Sequence, residues 1–165
     1  MPREIERKYL LSALPPRVRE VTPAEIDQGW LPGVQLRERL RRMRGAGGER
    51  FYRTVKVGRG VSRIELDEET TSELWHALWP HTVARRIAKR RYPVPDGALT
   101  WEIDEFVDRN LVLAEIELPH PDATPPLPDW LAPYVVREVT DEPGFTNFEL
   151  AGERSGERSG ERATR

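Results

Sequence analysis

The chain has 165 residues, a length typical of one domain with a single core, and a formal net charge of −2. This near balance argues against broad attraction to nucleic acid or a membrane surface, so neither is an expected partner, although 33% of the residues are charged. The absence of cysteine and the scatter of three histidines exclude disulfides and thiolate metal sites and argue against a structural zinc site. With no apolar run of membrane-spanning length and no signal-peptide pattern, we expect a cytoplasmic protein.

Short runs of alternating apolar and polar residues, separated by Gly, Pro and Asp turns, predict a mainly β chain. Strands are predicted, in chain order, over residues 4–11, 25–31, 34–43, 49–57, 61–69, 83–94, 101–107, 111–118 and 135–139. Short helices are predicted over residues 15–20, 72–79, 129–132 and 147–150, the second of them capped by Thr70 or Thr71. Residues 152–165 repeat Gly-Glu-Arg-Ser without an apolar face, which predicts a disordered tail after a single folded domain over residues 1–151.

Charged residues occupy one face of strand after strand, because side chains alternate faces along a β-strand. In the first strand, Glu4, Glu6 and Lys8 share one side. The acids that share such a face are Glu4, Glu6, Glu65, Asp67, Glu102, Asp104, Glu115 and Glu117, and the bases are Lys8, Arg37, Arg39, Lys56, Arg63, Lys89 and Arg91. A single strand of this kind is most simply amphipathic, with its charges in water; the repetition is what points to a function.

Two arrangements satisfy this alternation if about eight antiparallel strands close on themselves. In one, the charges face solvent and the apolar faces fill a small barrel. In the other, the apolar faces lie beneath helices and the charges line a wet interior. Signs are segregated along the strands, as in Arg37, Arg39 and Arg41, whereas a solvated face usually intersperses them. Segregation favours the second arrangement, with carboxylates for a divalent cation and basic groups for an oligophosphate.

The first predicted strand carries an ExExK pattern, Glu4-Ile5-Glu6-Arg7-Lys8. Seven further motifs follow it in order: Gln28-Gly29-Trp30-Leu31, Leu36-Arg37-Glu38-Arg39, Thr54-Val55-Lys56, Arg63-Ile64-Glu65-Leu66-Asp67, Lys89-Arg90-Arg91-Tyr92, Trp101-Glu102-Ile103-Asp104-Glu105-Phe106 and Leu113-Ala114-Glu115-Ile116-Glu117-Leu118. The ExExK pattern alone is weak, but the ordered set is specific. On these motifs the chain resembles the CYTH superfamily, the triphosphate tunnel metalloenzymes, over residues 2–150. Three departures are Asp67 for a usual glutamate, Arg90 for a common threonine and Phe145 for a common tyrosine.

The resemblance implies a closed eight-stranded antiparallel β-barrel, flanked by short helices, whose charged lumen binds a triphosphate with Mg²⁺ or Mn²⁺. The implied catalytic residues are Lys8, Glu4 and Glu6. The implied metal ligands are Glu4, Glu6, Glu65, Asp67, Asp104, Glu115 and Glu117. The implied substrate-binding residues are Lys8, Arg37, Arg39, Lys56, Arg63, Lys89 and Arg91. Hard oxygen ligands suit a hard divalent ion.

The implied function is metal-dependent hydrolysis of a triphosphate, most simply inorganic tripolyphosphate, to diphosphate and phosphate. Thiamine triphosphatase and class IV adenylate cyclase activities are alternatives from the same resemblance. A non-catalytic module that binds polyphosphate or nucleotide is an alternative of another class, although an anion sink gains nothing from its carboxylates. The partner is then a small-molecule triphosphate, and the chain is either a monomer or a homodimer.

Overall fold

A computed structural model of the chain describes residues 5–34, 36–57, 64–120, 123 and 126–152, and of residues 56, 57, 64 and 65 it describes the backbone alone. Glu4, Arg63 and the predicted tail after residue 152 lie outside this part of the chain. The one-domain boundary at residue 151 therefore stays a prediction. No helix within the described ranges is long and apolar enough to cross a membrane.

Nine strands and a few short helices make up the described chain. The strands are β1 (Ile5–Leu11), β2 (Ala24–Trp30), β3 (Leu36–Gly45), β4 (Gly48–Val57), β5 (Ile64–Thr70), β6 (Arg86–Asp96), β7 (Leu99–Phe106), β8 (Val112–Leu118) and β9 (Val135–Glu138). The α-helices are α1 (Ser72–Leu78) and α2 (Asn147–Gly152), and 3-10 turns span Pro16–Glu20, Trp79–Thr82 and Ala132–Tyr134. Thr71 is the N-cap of α1, where its side chain accepts a hydrogen bond from the Leu74 N–H at 3.2 Å.

The prediction of a closed eight-stranded barrel is wrong. The nine strands form one sheet in the order β5-β4-β3-β2-β6-β7-β8-β1-β9, with β5 at one end and β9 at the other. Closure requires the two terminal strands to hydrogen-bond to each other, whereas β5 pairs with β4 and β9 pairs with β1. The alternating pattern determines which side chains share a face, but it carries no information about the pairing of edge strands. The predicted mainly β architecture, with antiparallel strand pairs and short helices, is observed.

Several element boundaries differ from the sequence prediction, among them those of β6 and of the helix predicted over residues 129–132. The strand predicted from Val83 begins at Arg86, because the 3-10 turn before it continues and the Arg85 N–H donates to the Thr82 carbonyl at 2.9 Å. The helix predicted over residues 129–132 lies slightly later, as the 3-10 turn at Ala132–Tyr134.

Two compact units divide the chain: unit 1 comprises residues 1–25 and 89–145, and unit 2 comprises residues 26–88 and 146–165. In unit 1, the apolar faces of β1, β7 and β8 form the core together with Val18 from the first 3-10 turn and Leu131. The buried core residues of this unit are Tyr9, Leu11, Val18, Val94, Trp101, Ile103, Ala114, Ile116, Leu118 and Leu131. Burial of each large apolar side chain contributes about 1.5–3 kcal/mol, so this face alone accounts for much of the stability of the unit.

In unit 2, helix α1 covers the apolar side of β3 and β4. Leu40 and Phe51 pack against Trp75, with Trp79 stacked on Trp75 at a centroid distance of 4.5 Å. These tryptophans thus belong to the core, as their helical spacing predicts.

Candidate functional site

Strand register in unit 1 brings charged residues of four strands onto the face opposite the core. Lys8 lies across from Glu115, and Glu6 lies across from Glu117. Glu102 of β7 lies across from Glu115, and Asp104 lies across from Arg91 of β6. We call this set the carboxylate cluster; its members are Glu6, Lys8, Lys89, Arg91, Glu102, Asp104, Glu115 and Glu117.

The interior of the carboxylate cluster is a buried ion-pair network centred on Arg91. The Asp104 carboxylate accepts hydrogen bonds from Arg91 Nε and Nη2, both at 2.7 Å, and also from Lys89 Nζ. The Lys89 and Asp104 side chains are both 0% exposed. Arg91 Nη2 also donates to Glu115 Oε2 at 2.6 Å, and Nη1 donates to Glu102. Because each buried charge has an opposite partner, the network avoids the large penalty of an uncompensated buried ion.

Lys8 is the most connected lysine at the edge of this network. Its Nζ lies 2.9 Å from Glu115 Oε1 and 3.4 Å from Glu6 Oε1, and it donates to the Phe145 carbonyl at 3.4 Å. Burial lowers the pKa of Lys8, but the charges of Glu115 and Glu6 outweigh burial and leave this pKa above its ordinary value. Lys8 is therefore a fixed cation with two carboxylate neighbours.

The carboxylates of this cluster differ in proton affinity. For Glu115, burial acts to raise the pKa, but the charges of Lys89, Arg91 and Lys8 overcome it and hold the pKa well below the ordinary value. Partial desolvation of the carboxylate and the charge of Glu115 raise the pKa of Glu6 despite nearby Lys8. Partial desolvation likewise raises the pKa of Glu102. Glu115 therefore stays ionised, while Glu6 and Glu102 bind protons more readily than ordinary glutamates.

The outer edge of the carboxylate cluster has a surplus of negative charge. Glu6 and Glu117 lie directly across from each other on neighbouring strands, and both are exposed, with the Glu6 side chain at 47%. Like charges in that relation repel unless a cation lies between them. Glu6 has one cationic contact, with Lys8, and Glu117 has no ion-pair partner within the described residues. Carboxylate oxygens are the ligands that Mg²⁺ and Mn²⁺ prefer, so the donor chemistry of this pair fits a hard divalent cation.

The described ranges contain no group of three or more His, Cys, Asp or Glu residues that could hold a metal ion. Of the seven predicted metal ligands, Glu4 and the side chain of Glu65 lie outside those ranges. Asp104 is engaged by Lys89 and Arg91 within the network. The metal assignments of these residues, and of Glu6, Glu115 and Glu117, stay predictions.

Unit 2 carries a different charged group, which we call the arginine row: Arg37, Arg39 and Arg41 on one face of β3. Arg39 lies across from Thr54, and Arg41 lies across from Tyr52, whose ring centroid is 4.8 Å from the guanidinium carbon. Arg37 lies across from Lys56, of which only the backbone is described. Arginine at alternating positions of one strand presents planar donors suited to phosphate oxygens.

One described carboxylate, that of Asp67 on β5, serves this arginine row. Asp67 accepts hydrogen bonds from Thr54 Oγ1 and from Arg41 Nη2, the latter at 3.2 Å, and lies 3.9 Å from Arg39 Nη2. Arg39 Nη2 in turn donates to Thr54 Oγ1 at 2.9 Å. The Asp67 side chain, expected to help bind metal, is 40% exposed and contacts guanidinium groups.

Sequence reasoning missed two residues beside the arginine row, Phe148 and Arg85. The Phe148 ring centroid is 4.2 Å from the Arg37 guanidinium carbon and 4.3 Å from that of Arg85. Trp30 packs edge-on against the same ring at 5.9 Å. The sequence carries one signal near Phe148, because Thr146 and Glu149 have the spacing of a helix capping box. In the structure, Thr146 Oγ1 lies 2.7 Å from Glu149 Oε2 and accepts a hydrogen bond from the Glu149 N–H at 3.2 Å. That signal predicts the start of α2, but not what its ring contacts.

The sequence of the chain is similar to the sequences of two inorganic triphosphatases. The chain is 33% identical over 156 residues to an inorganic triphosphatase from Nitrosomonas europaea, a match that spans 90% of this chain and 96% of that protein. It is 38% identical over 109 residues to an inorganic triphosphatase from Acetivibrio thermocellus, spanning 62% of this chain and 65% of that protein. No family model matches the chain.

Solved structures show the same fold. A crystal structure of an inorganic triphosphatase superposes with a TM-score of 0.67 at 28% identity, covering 93% of this chain and 97% of that one. A protein from Pyrococcus horikoshii OT3 superposes with a TM-score of 0.51 at 18% identity, covering 71% of this chain and 78% of that one. The second match supports the fold alone.

Proposed function

The chain belongs to the CYTH superfamily, among the inorganic triphosphatases, and we therefore propose that it hydrolyses inorganic tripolyphosphate to diphosphate and phosphate with the help of Mg²⁺ or Mn²⁺. The observation that carries this proposal is the exposed cross-strand pair Glu6 and Glu117 next to Lys8. Two carboxylates directly across from each other suit a divalent cation, and a fixed ammonium group nearby suits a phosphate oxygen.

The residues of the carboxylate cluster divide by burial. The exposed Glu6 and Glu117 would hold the cation, and the proposed metal roles of Glu4 and Glu115 rest on the motif resemblance. Bound there, a divalent cation supplies Lewis-acid stabilisation of charge on the phosphate oxygens. Lys89 and Asp104 are fully buried, so we assign them to orienting Arg91. This assignment moves Asp104 from the predicted metal ligands to a supporting role, and Lys89 from the substrate-binding residues to the same role.

Basic residues have the remaining roles, which are binding of the phosphate groups and orientation of water. The ammonium group of Lys8 would bind a phosphate oxygen or orient the attacking water, because Glu115 and Glu6 hold it in one place and keep it charged. Arg37 and Arg39 would bind phosphate oxygens through their in-plane N–H groups. Water attacks the terminal phosphorus, the bond to the bridging oxygen breaks, and diphosphate leaves. The proposed roles of Lys56, Arg63 and Glu65 rest on the motif resemblance.

A substrate panel tests the proposed function. The purified full chain is incubated with tripolyphosphate, thiamine triphosphate or ATP, each with Mg²⁺ or Mn²⁺, and the products are separated by ion-exchange chromatography. We expect phosphate and diphosphate from tripolyphosphate, and loss of turnover with a chelator. Faster turnover of thiamine triphosphate would reassign the substrate. Cyclic AMP and diphosphate from ATP would reassign the reaction, and binding without turnover would support a non-catalytic module.

Three further points are proposed on sequence grounds alone. The protein acts in the cytoplasm, its partner is a small-molecule triphosphate, and neither nucleic acid nor a membrane takes part. Both a monomer and a homodimer remain compatible with the sequence. Gel filtration with light scattering distinguishes the two oligomeric states.

A further inference from the structure

The ring of Phe148, on the short helix α2 of unit 2, lies close to two guanidinium groups. The Arg37 guanidinium carbon is 4.2 Å from the ring centroid, and the Arg85 guanidinium carbon is 4.3 Å from it. Both distances lie within the range in which an aromatic ring attracts a cation. No motif of the sequence analysis includes Phe148 or Arg85.

The Phe148 ring is itself held in place. Arg85 Nη1 donates to the Phe148 carbonyl at 3.1 Å, and the buried Trp30 packs against the ring edge. The capping box of Thr146 and Glu149 fixes the residue at which α2 begins, and thereby the position of Phe148 in its first turn. At the far end of the helix, a Cβ on Gly152 would lie 2.3 Å from Arg85 Nη1, so glycine there leaves Arg85 its space.

Arg37, by contrast, depends on the ring. It is exposed, and within the described residues its stacking contact with Phe148 is its one polar or charged interaction. A long arginine side chain without a partner samples many rotamers, and binding a ligand would then require ordering it. Stacking on a ring uses the flat face of the guanidinium and leaves the N–H groups in its plane available to phosphate oxygens.

We propose that Phe148 is a positioning residue for substrate binding: its ring holds the Arg37 guanidinium so that the N–H edge is presented to a phosphate group of the substrate. This inference rests on the proposed function for the identity of the ligand. It adds that α2, although outside every charged motif, takes part in binding, and that Arg85 acts through the ring and does not contact the substrate.

Kinetics of Phe148→Leu test the inference, because leucine fills a similar volume without a π face. We expect KM for tripolyphosphate to rise roughly three- to tenfold while kcat stays within about twofold, the size expected of one cation–π contact. Phe148→Tyr should restore the wild-type KM. Leu150→Val on the same helix is the matched control, because Leu150 is buried and the change loosens α2 without touching the ring. It should lower the melting temperature and leave KM unchanged.

A second readout does not need turnover. In the NMR spectrum, the Arg37 side-chain protons, assigned by their loss in Arg37→Lys, should show an upfield ring-current shift that Phe148→Leu abolishes. If the wild type does not turn over tripolyphosphate, the proposed function fails, and calorimetric binding of tripolyphosphate to wild type and Phe148→Leu then decides the inference. An unchanged KM or binding constant in Phe148→Leu, or an equal rise in KM in Leu150→Val, would overturn it.

Discussion

The carboxylate cluster of unit 1 and the arginine row of unit 2 both place charges on one face of neighbouring strands, but they compensate those charges differently. In the carboxylate cluster, each buried cation has at least one carboxylate within hydrogen-bonding distance, and Lys89 and Asp104 are sealed from solvent. In the arginine row, one exposed carboxylate, Asp67, faces two arginines. A closed network of ions supports the fold, whereas a surplus of one sign is available for a ligand.

Compensated and uncompensated charges also occur side by side within the carboxylate cluster and within the arginine row. The interior of the carboxylate cluster is neutralised, while its edge, at Glu6 and Glu117, has two carboxylates across from each other. Arg39 is tied to Thr54, while Arg37 has only the Phe148 ring among the described residues. Glu6, Glu117 and Arg37, which have few partners among the described residues, are among the residues that we assign to the cation and to phosphate.

The largest expected effect is the loss of stability on replacing Asp104, and Asp67, which also faces two cations but is partly exposed, is its matched control. Asp104→Asn should reduce the free energy of unfolding by about 3–5 kcal/mol, because it leaves Lys89 and Arg91 under-compensated in a buried site. Asp67→Asn, in the partly exposed site, should reduce it by about 1 kcal/mol or less. Urea denaturation of both variants measures the difference. Adding Lys89→Met to Asp104→Asn should recover part of the loss; equal effects of the two asparagine variants would break the comparison.

Glu117→Ala should nearly abolish turnover with little change in stability. Its side chain is exposed and has no ion-pair partner in the described chain, so its removal leaves no buried charge unmatched. Loss of a cation ligand should lower kcat/KM at least about a hundredfold, which corresponds to about 2.7 kcal/mol of transition-state stabilisation. Steady-state phosphate release and thermal melting are measured together. Retained activity in a folded variant would remove Glu117 from the site.

Gly29→Ala tests whether the stability of unit 2 comes from its apolar side. A Cβ at residue 29 would lie 2.5 Å from Thr82 Oγ1 and 2.8 Å from Trp79 Cζ3, and Thr82 is fully buried. Overpacking of this kind should cost about 1–3 kcal/mol. Calorimetric melting checks it, with Gly47→Ala as the control, because nothing lies within 4 Å of a Cβ there. A melting temperature equal to that of the control would show that β2 can move away from this turn.

The smallest expected effect is a pH dependence of stability that belongs to Glu115. Its folded pKa lies below the ordinary value of 4.5, because the cations around it outweigh burial, so the unfolded chain takes up its proton first on acidification. The stability that Glu115 contributes is therefore fully present above pH 4.5 and is lost as the pH falls below it. Denaturation with a chelator present, between about pH 6 and pH 3, should show a shallower decline in Glu115→Gln than in wild type. The same decline of stability with falling pH in both proteins would contradict the stabilising role of the ionised Glu115 in the buried network.

Sequence reasoning predicted which side chains share a strand face, because alternation along a strand has a period of two. It did not predict the open sheet, because edge pairing between β5 and β9 depends on tertiary geometry and not on alternation. The burial of Asp104 also escaped it, because Glu102 and Asp104 have the same parity on β7 and differ in burial, with side chains that are 40% and 0% exposed. Phe148 escaped it because an aromatic residue on a six-residue helix carries no sign of the arginines that it meets.

The central proposal is that the exposed carboxylate Glu117 binds the cation that hydrolysis requires, and that Arg39 binds a phosphate group of the substrate. The most direct test is steady-state hydrolysis of tripolyphosphate over a grid of Mn²⁺ and tripolyphosphate concentrations, for wild type, Glu117→Ala and Arg39→Ala. We predict that excess Mn²⁺ partly restores Glu117→Ala and not Arg39→Ala, while excess tripolyphosphate partly restores Arg39→Ala and not Glu117→Ala. Restoration of both variants by the same component, or of neither by either, would contradict the account.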